Sequence, residues 1–151
     1  MNKITRLFDF PYYQLEKYPN EDALASKVNG EWVKVSTQEY INKAVALSKG
    51  LIKLGVKPGD KVALISTANR PEWNISDIGI LQTGAVNVPV YPTITEQDYK
   101  FIFNDAQVKF CIVSDEDLFK KVNAIRNEVD SLVEIYSFEK IDGCKHWSEI
   151  F

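Results

Sequence analysis

Short apolar runs separated by helix-length segments constrain this chain more than any other feature. Val62-Ala63-Leu64-Ile65 (within residues 61–66) and residues 110–113 are apolar without a break, and residues 86–90 and 132–136 read as further, mostly apolar strands. Between them, Pro71 starts a helix to about residue 84, and residues 95–106 (Tyr99, Ile102 and Phe103 facing inward) and 118–129 (Leu118, Val122, Ile125 and Val129 on one face) read as helices. A strand that is apolar on both faces must be covered on both, and helical crossovers between such strands make them parallel. The expected fold class is therefore α/β, a three-layer αβα arrangement around a mostly parallel sheet. Residues 62–65, 86–90 and 110–113 are expected as its central strands.

What precedes this core is smaller. Residues 5–18 have a helical period and are stopped by Pro19, and residues 23–28 and 32–36 read as strands around Asn29-Gly30. Asn-Gly between two such runs is a hairpin signal, because both residues accept positive φ. Ser36-Thr37-Gln38-Glu39 is a capping box that opens a helix closed by Gly55, with Pro58 beyond it. The chain thus divides into residues 1–36, an N-terminal helix and β-hairpin, and residues 37–151, the α/β subdomain.

Composition removes several classes of function. The 151 residues carry 18 Lys+Arg against 21 Asp+Glu, a formal net charge of −3, which argues against a nucleic-acid partner. One His and two Cys supply neither a structural zinc site nor a disulfide framework, and no His-built metal site or catalytic triad unless His146 is its base. Residues 1–9 lack the apolar core of a signal peptide, so Met1 reads as a cytosolic start. The uncharged stretch 78–95 is interrupted by Gln82, Gly84, Asn87, Pro89 and Pro92, a set foreign to a bilayer-spanning helix. A cytoplasmic location is expected.

In a parallel sheet, ligands gather beyond the carboxyl ends of the strands, here residues 67–73, 91–95 and 114–121. No G-x-G-x-x-G or G-x-x-x-x-G-K-[ST] follows any strand, and no strand ends in the Asp a response-regulator receiver needs. Val56-Lys57-Pro58-Gly59-Asp60 reads as a connecting turn. Asp115-Glu116-Asp117 stands at a helix start, where the dipole favours carboxylates and Ser114 or Asp115 can cap, so no metal is required. Cys111 reads as an inert core thiol, Cys144 as a loop residue with nothing to activate it, and His146 as unpaired with any nucleophile. Lys120-Lys121 reads as a solvated helix face. The residues by themselves yield a fold and no chemistry.

One stretch is more specific. Asn69-Arg70-Pro71-Glu72-Trp73, Asp77, and the run from Gly84 through Val90 to Tyr91-Pro92-Thr93 resemble the long-chain fatty-acid–CoA ligases of the adenylate-forming, AMP-binding superfamily. Val35-Ser36-Thr37-Gln38-Glu39-Tyr40 resembles that superfamily's LTYxEL block, with a departure at its end. Leu81-Gln82-Thr83-Gly84-Ala85-Val86-Asn87-Val88-Pro89 resembles its LKxGxxxVP block. Leu54 through Val62 resembles the usual link between them, and the likeness covers residues 5–125.

The resemblance implies a parent that turns fatty acid, ATP and CoA, with Mg2+, into acyl-CoA, AMP and pyrophosphate through an acyl-adenylate. It also implies what this chain lacks: the phosphate loop, the adenine-binding block, the acidic residue on the ribose, and a C-terminal domain with its catalytic Lys. The chain is therefore expected to be an N-terminal fragment, inactive alone and binding no cofactor, with no catalytic residue and no metal ligand of its own. Its expected partner is the remainder of its polypeptide. Self-association of the fragment and peripheral membrane association of the parent are further expectations. In resembling enzymes the loop at Tyr91, Pro92 and Thr93 lines the channel that admits CoA, and basic residues matched approximately by Lys120 and Lys121 approach its nucleotide phosphate. The alternatives are a fragment of a fatty acyl-AMP ligase that loads a carrier protein, and a non-catalytic α/β interaction module.

Overall fold

The computed structural model describes residues 4–151; Met1, Asn2 and Lys3, and with them the expected start, lie outside the described residues. A 3-10 turn (Leu7–Asp9) leads into α1 (Phe10–Lys17), followed by the hairpin strands β1 (Leu24–Val28) and β2 (Glu31–Val35). Then come α2 (Thr37–Lys53), β3 (Lys61–Ile65), α3 (Pro71–Gln82), β4 (Val86–Pro89), α4 (Glu96–Ala106) and β5 (Val108–Val113). After these lie α5 (Glu116–Ala124), a 3-10 turn (Arg126–Glu128), β6 (Glu134–Ser137), β7 (Lys145–His146) and a last 3-10 turn (Trp147–Ile150). No helix among the described residues is long and apolar enough to cross a membrane.

Local chemistry sets the boundaries. Ser36 Oγ accepts from the Glu39 N–H at 3.2 Å while the Glu39 carboxylate accepts from the Ser36 N–H at 2.9 Å, the reciprocal cap that starts α2. At its far end the Val56 N–H donates to Leu51 O and the Gly55 N–H to Ile52 O, a Schellman closure. In the hairpin, Asn29 (φ 50°) and Gly30 (φ 87°) both take the left-handed region that a two-residue turn of this twist requires.

The main sheet runs in the order β4-β3-β5-β6-β7 with every pairing parallel. Side chains alternate across it with period two. Val62, Leu64, Phe110, Ile112 and Tyr136 pack with Leu47, Leu51 and Ile80 of α2 and α3. Ala63, Ile65, Cys111, Val113 and Ile135 pack with Tyr99, Phe103, Leu118 and Val122 of α4 and α5. This is the three-layer α/β arrangement expected, with the antiparallel hairpin outside it.

One strand departs from expectation. Residues 86–90 are not central: among the described residues β4 pairs only with β3 and forms an edge of the sheet, with Val86 47 % exposed. The reason is Pro89. The Val86 and Val90 N–H groups donate to Asp60 O and Leu64 O, so alternation turns Asn87 and Pro89 to the outer side. Pro89 has no N–H to give a further strand, and proline in a strand belongs at an edge. Smaller differences follow tertiary contacts. The first helix begins at Phe10, behind the 3-10 turn rather than at residue 5, and the last apolar strand is shifted to Glu134–Ser137. The helix expected to run to residue 129 ends at Ala124, where Arg126 turns its Nη2 toward Val133 O at 3.0 Å and Glu134 at 3.1 Å.

Candidate functional site

The carboxyl ends of β3, β4 and β5 bring three loops together, and Asp115 ties two of them. Its Oδ2 accepts from Thr67 Oγ1 at 2.8 Å and from Ser114 Oγ at 2.6 Å, while its Oδ1 accepts from the Leu118 N–H at 3.1 Å and caps α5. The Thr67 N–H in turn donates to Ser114 Oγ at 3.0 Å. Burial alone disfavours the Asp115 carboxylate, but the hydrogen bonds from Ser114, Leu118 and Thr67 outweigh it and hold the carboxyl below its ordinary value. The acidic cluster is thus a cap and a cross-tie. Among the described residues no group of three or more His, Cys, Asp or Glu could hold a metal ion.

This network is testable. Asp115→Asn removes an acceptor for two hydroxyls and is expected to cost about 1–2 kcal/mol at neutral pH. Because the folded carboxyl titrates below its unfolded value, its stabilisation is complete above about pH 4 and is lost as pH falls through the lowered value. Urea denaturation of wild type and variant across that range should therefore converge in acid. A pH-independent difference would show that the neutral acid keeps the same bonds.

Arg70 ties in the third side of the edge. Its guanidinium makes a two-point contact with Glu72 (3.1 and 3.2 Å), reaches Ser114 O at 3.4 Å and Glu139 at 3.7 Å, and lies 5.2 Å from the Phe138 ring centre. Beside it a shallow cleft is lined by Ser66, Ala68, Asn69, Arg70, Trp73 and Asn74. The Thr67 and Ser114 hydroxyls, the Asp115 carboxylate and the Arg70 guanidinium are each paired, so this part of the edge is braced.

The residues expected to meet CoA separate here. Lys121 turns inward, and its Nζ donates to Pro92 O at 3.4 Å, which brings α5 onto the Tyr91-Pro92-Thr93 loop. Lys120, one position earlier and so about 100° around the helix, points away and pairs with Glu116 at 2.8 Å, both side chains exposed. Tyr91 is 80 % exposed, and its carbonyl accepts from the buried Tyr99 hydroxyl at 2.9 Å. Thr67, Arg70 and Tyr99 were not singled out as site residues by sequence reasoning. For Tyr99 a signal existed: a tyrosine on the inward face of a helix needs a partner for its hydroxyl.

The groups with intrinsic reactivity are spent on structure. Cys111 is fully buried, and burial pushes its thiol well above the ordinary range. Burial also pushes the Cys144 thiol up to about 11. His146 differs from expectation, since Ser148 Oγ lies 2.6 Å from its Nδ1. That contact belongs to a helix cap: Nδ1 also faces the Ser148 N–H at 3.4 Å and Nε2 meets Phe138 O at 3.0 Å. The ring is oriented by a carbonyl and not by a carboxylate, so the pair lacks the third member of a triad.

A model of the family described as "AMP-binding enzyme" matches residues 12–149. The chain is 33% identical over 108 residues to the long-chain-fatty-acid–CoA ligase FadD15 of Mycobacterium bovis, covering 72% of this chain and 18% of that protein. It is 26% identical over 129 residues to the long-chain-fatty-acid–CoA ligase ACSBG1 of Rattus norvegicus, covering 85% of this chain and 18% of that one. It therefore spans about a fifth of the length of these curated relatives. Among solved structures, a putative long-chain-fatty-acid CoA ligase from Rhodopseudomonas palustris superposes with a TM-score of 0.84 at 21% identity, over 97% of this chain and 36% of that one. An anthranilate CoA ligase, AuaEII, in complex with anthranoyl-AMP superposes with a TM-score of 0.79 at 22% identity, over 95% of this chain and 26% of that one. With its sheet, its flanking helices and nearly all its length inside the match, the chain belongs to the AMP-binding enzyme family.

Proposed function

We propose that the chain is the N-terminal part of a long-chain fatty-acid–CoA ligase, whose whole polypeptide joins fatty acid, ATP and CoA into acyl-CoA, AMP and pyrophosphate by way of an acyl-adenylate. The observation that carries this reading is the likeness, along most of this chain, to proteins named for that reaction. CoA is preferred over a carrier protein as acceptor on the same ground, and membership of an enzyme family speaks against a free-standing interaction module.

The carboxyl edge does not fit ATP on its own. Triphosphate binding calls for converging backbone N–H groups or unpaired cations. Arg70 is already engaged by Glu72, Ser114 and Glu139, and Thr67 and Ser114 both donate to Asp115. We assign adenylate formation and the Mg2+ that accompanies ATP to the remainder of the polypeptide, the partner of this subdomain. The described residues contribute the wall on the CoA side: Tyr91, Pro92 and Thr93 flank the path of the thiol, and Lys121 stands beside them as a point charge for phosphate. Lys120 is the outer of the two cations. We further propose a cytoplasmic enzyme that meets fatty acid at membrane surfaces by peripheral contact. Exposed apolar groups such as Val86 on the edge strand and Trp32 on the hairpin give the isolated subdomain a tendency to self-associate.

The test is expression of the complete reading frame that contains this chain, assayed with ATP, Mg2+, a long-chain fatty acid and CoA. Long-chain acyl-CoA and AMP are expected, with the 151-residue chain alone releasing no pyrophosphate. In the complete enzyme, Lys121→Ala should raise the KM for CoA more than Lys120→Ala, whose cation is already paired. Acyl-adenylate that never passes to CoA would overturn the reading.

A further inference from the structure

The buried Tyr99 hydroxyl is used in an unusual place. The Tyr99 ring is fully buried in α4, edge-on to Phe103 with ring centres 6.2 Å apart, among Ala63, Ile65 and Cys111. A phenylalanine would fill that space equally well, and a buried hydroxyl without a partner is costly. Its partner belongs neither to α4 nor to a strand ladder: it is the carbonyl of Tyr91, 2.9 Å away in the loop after β4. One residue further on, Pro92 O is held from α5 by Lys121. Two successive carbonyls are therefore tied from two different helices, while the Tyr91 ring stays in solvent. Pro92 adds stiffness of its own, since its ring fixes φ.

We propose that Tyr99 is a positioning residue for the carboxyl-edge loop: its hydroxyl fixes the Tyr91–Pro92 peptide and so the direction in which the Tyr91 ring leaves the sheet, making that ring a fixed wall for the amide-bearing arm that carries the CoA thiol. The proposal rests on the CoA reading given above and adds to it the group that holds the wall in place. Burial pushes the Tyr99 phenol up to about 12, so it remains a hydrogen-bond donor throughout neutral and mildly alkaline pH. Lys121 then has a second task, since the cation offered to phosphate is also the tie on Pro92.

Tyr99→Phe keeps the ring and its packing and removes only the tie. In the 151-residue chain, 15N relaxation reads the Tyr91 and Thr93 amides directly. Order parameters near about 0.85 are expected for wild type, falling below about 0.6 in Tyr99→Phe. Lys121→Met should lower them further when combined with Tyr99→Phe. In the complete enzyme, Tyr99→Phe should raise the KM for CoA about fivefold, the equivalent of one hydrogen bond, with the KM for ATP in place. Unchanged order parameters in Tyr99→Phe would overturn the positioning role. Lowered order parameters with an unmoved KM for CoA would instead overturn the assignment of this loop to CoA, and with it the function given to the Tyr91 ring.

Discussion

Leu64→Ala is expected to lower stability by about 2–5 kcal/mol, through lost transfer energy and the cavity left behind. Leu64 is fully buried in β3, opposite Pro89 of β4 on one side and Ile112 of β5 on the other. It packs toward α2 and α3 with Leu47, Leu51 and Ile80, all fully buried. Collapse into the gap is restricted, because the sheet is tied on one side and a helical layer covers the other. Val86→Ala removes apolar surface from the edge strand at a residue about half exposed and is the matched control, expected to cost well under the Leu64 change. Urea denaturation of the pair, with unchanged m-values, checks both figures and the sheet order at once. A loss under about 1 kcal/mol at Leu64 would place β3 at an edge.

The inner strands were legible because burial on both faces writes itself as an unbroken apolar run, as at Val62-Ala63-Leu64-Ile65. The same logic misassigned β4, since Val86, Val88 and Val90 resemble a central strand while Pro89 alone reveals the edge. That signal was present in the sequence and outweighs the valines, because a missing donor cannot be offset by apolar character. β7 left no such signal. Lys145–His146 becomes a strand only by pairing with Tyr136 and Ser137, a contact no local pattern encodes. The same holds for the site. Lys120 and Lys121 are indistinguishable in sequence, and only the packing of α5 against the loop after β4 sends one to Pro92 and the other to Glu116. The capping role of Asp115 was readable locally; its tie to Thr67, 48 positions away, was not.

Gly50→Ala sets two known effects against each other, and geometry decides the sign. In the interior of α2 the substitution would ordinarily stabilise by about 1 kcal/mol, since alanine is the better helix former. Here an added Cβ would fall 1.5 Å from the carbonyl oxygen of Ile150 and 2.5 Å from its carbonyl carbon. No rotamer relieves a clash with backbone, so the turn Trp147–Ile150 must lift from α2. Ile150, nearly fully buried against the α2 side of the sheet, would then be exposed, at about 1.5–3 kcal/mol. The edge-to-face contact of Trp147 with Phe138, at 5.2 Å between ring centres, would go with it, at a further 0.5–1.5 kcal/mol or about that. The loss exceeds the helical gain, and a net destabilisation of about 1–3 kcal/mol is expected. Truncation after His146 supplies the discriminating comparison, because it removes the carbonyl that the new methyl would strike. In that shortened chain Gly50→Ala should become stabilising, and the reversal of sign, read from paired urea midpoints, separates a steric cause from any general intolerance of α2. If Gly50→Ala stabilises the full chain as well, the last turn is not seated on α2 and Ile150 contributes nothing to the core.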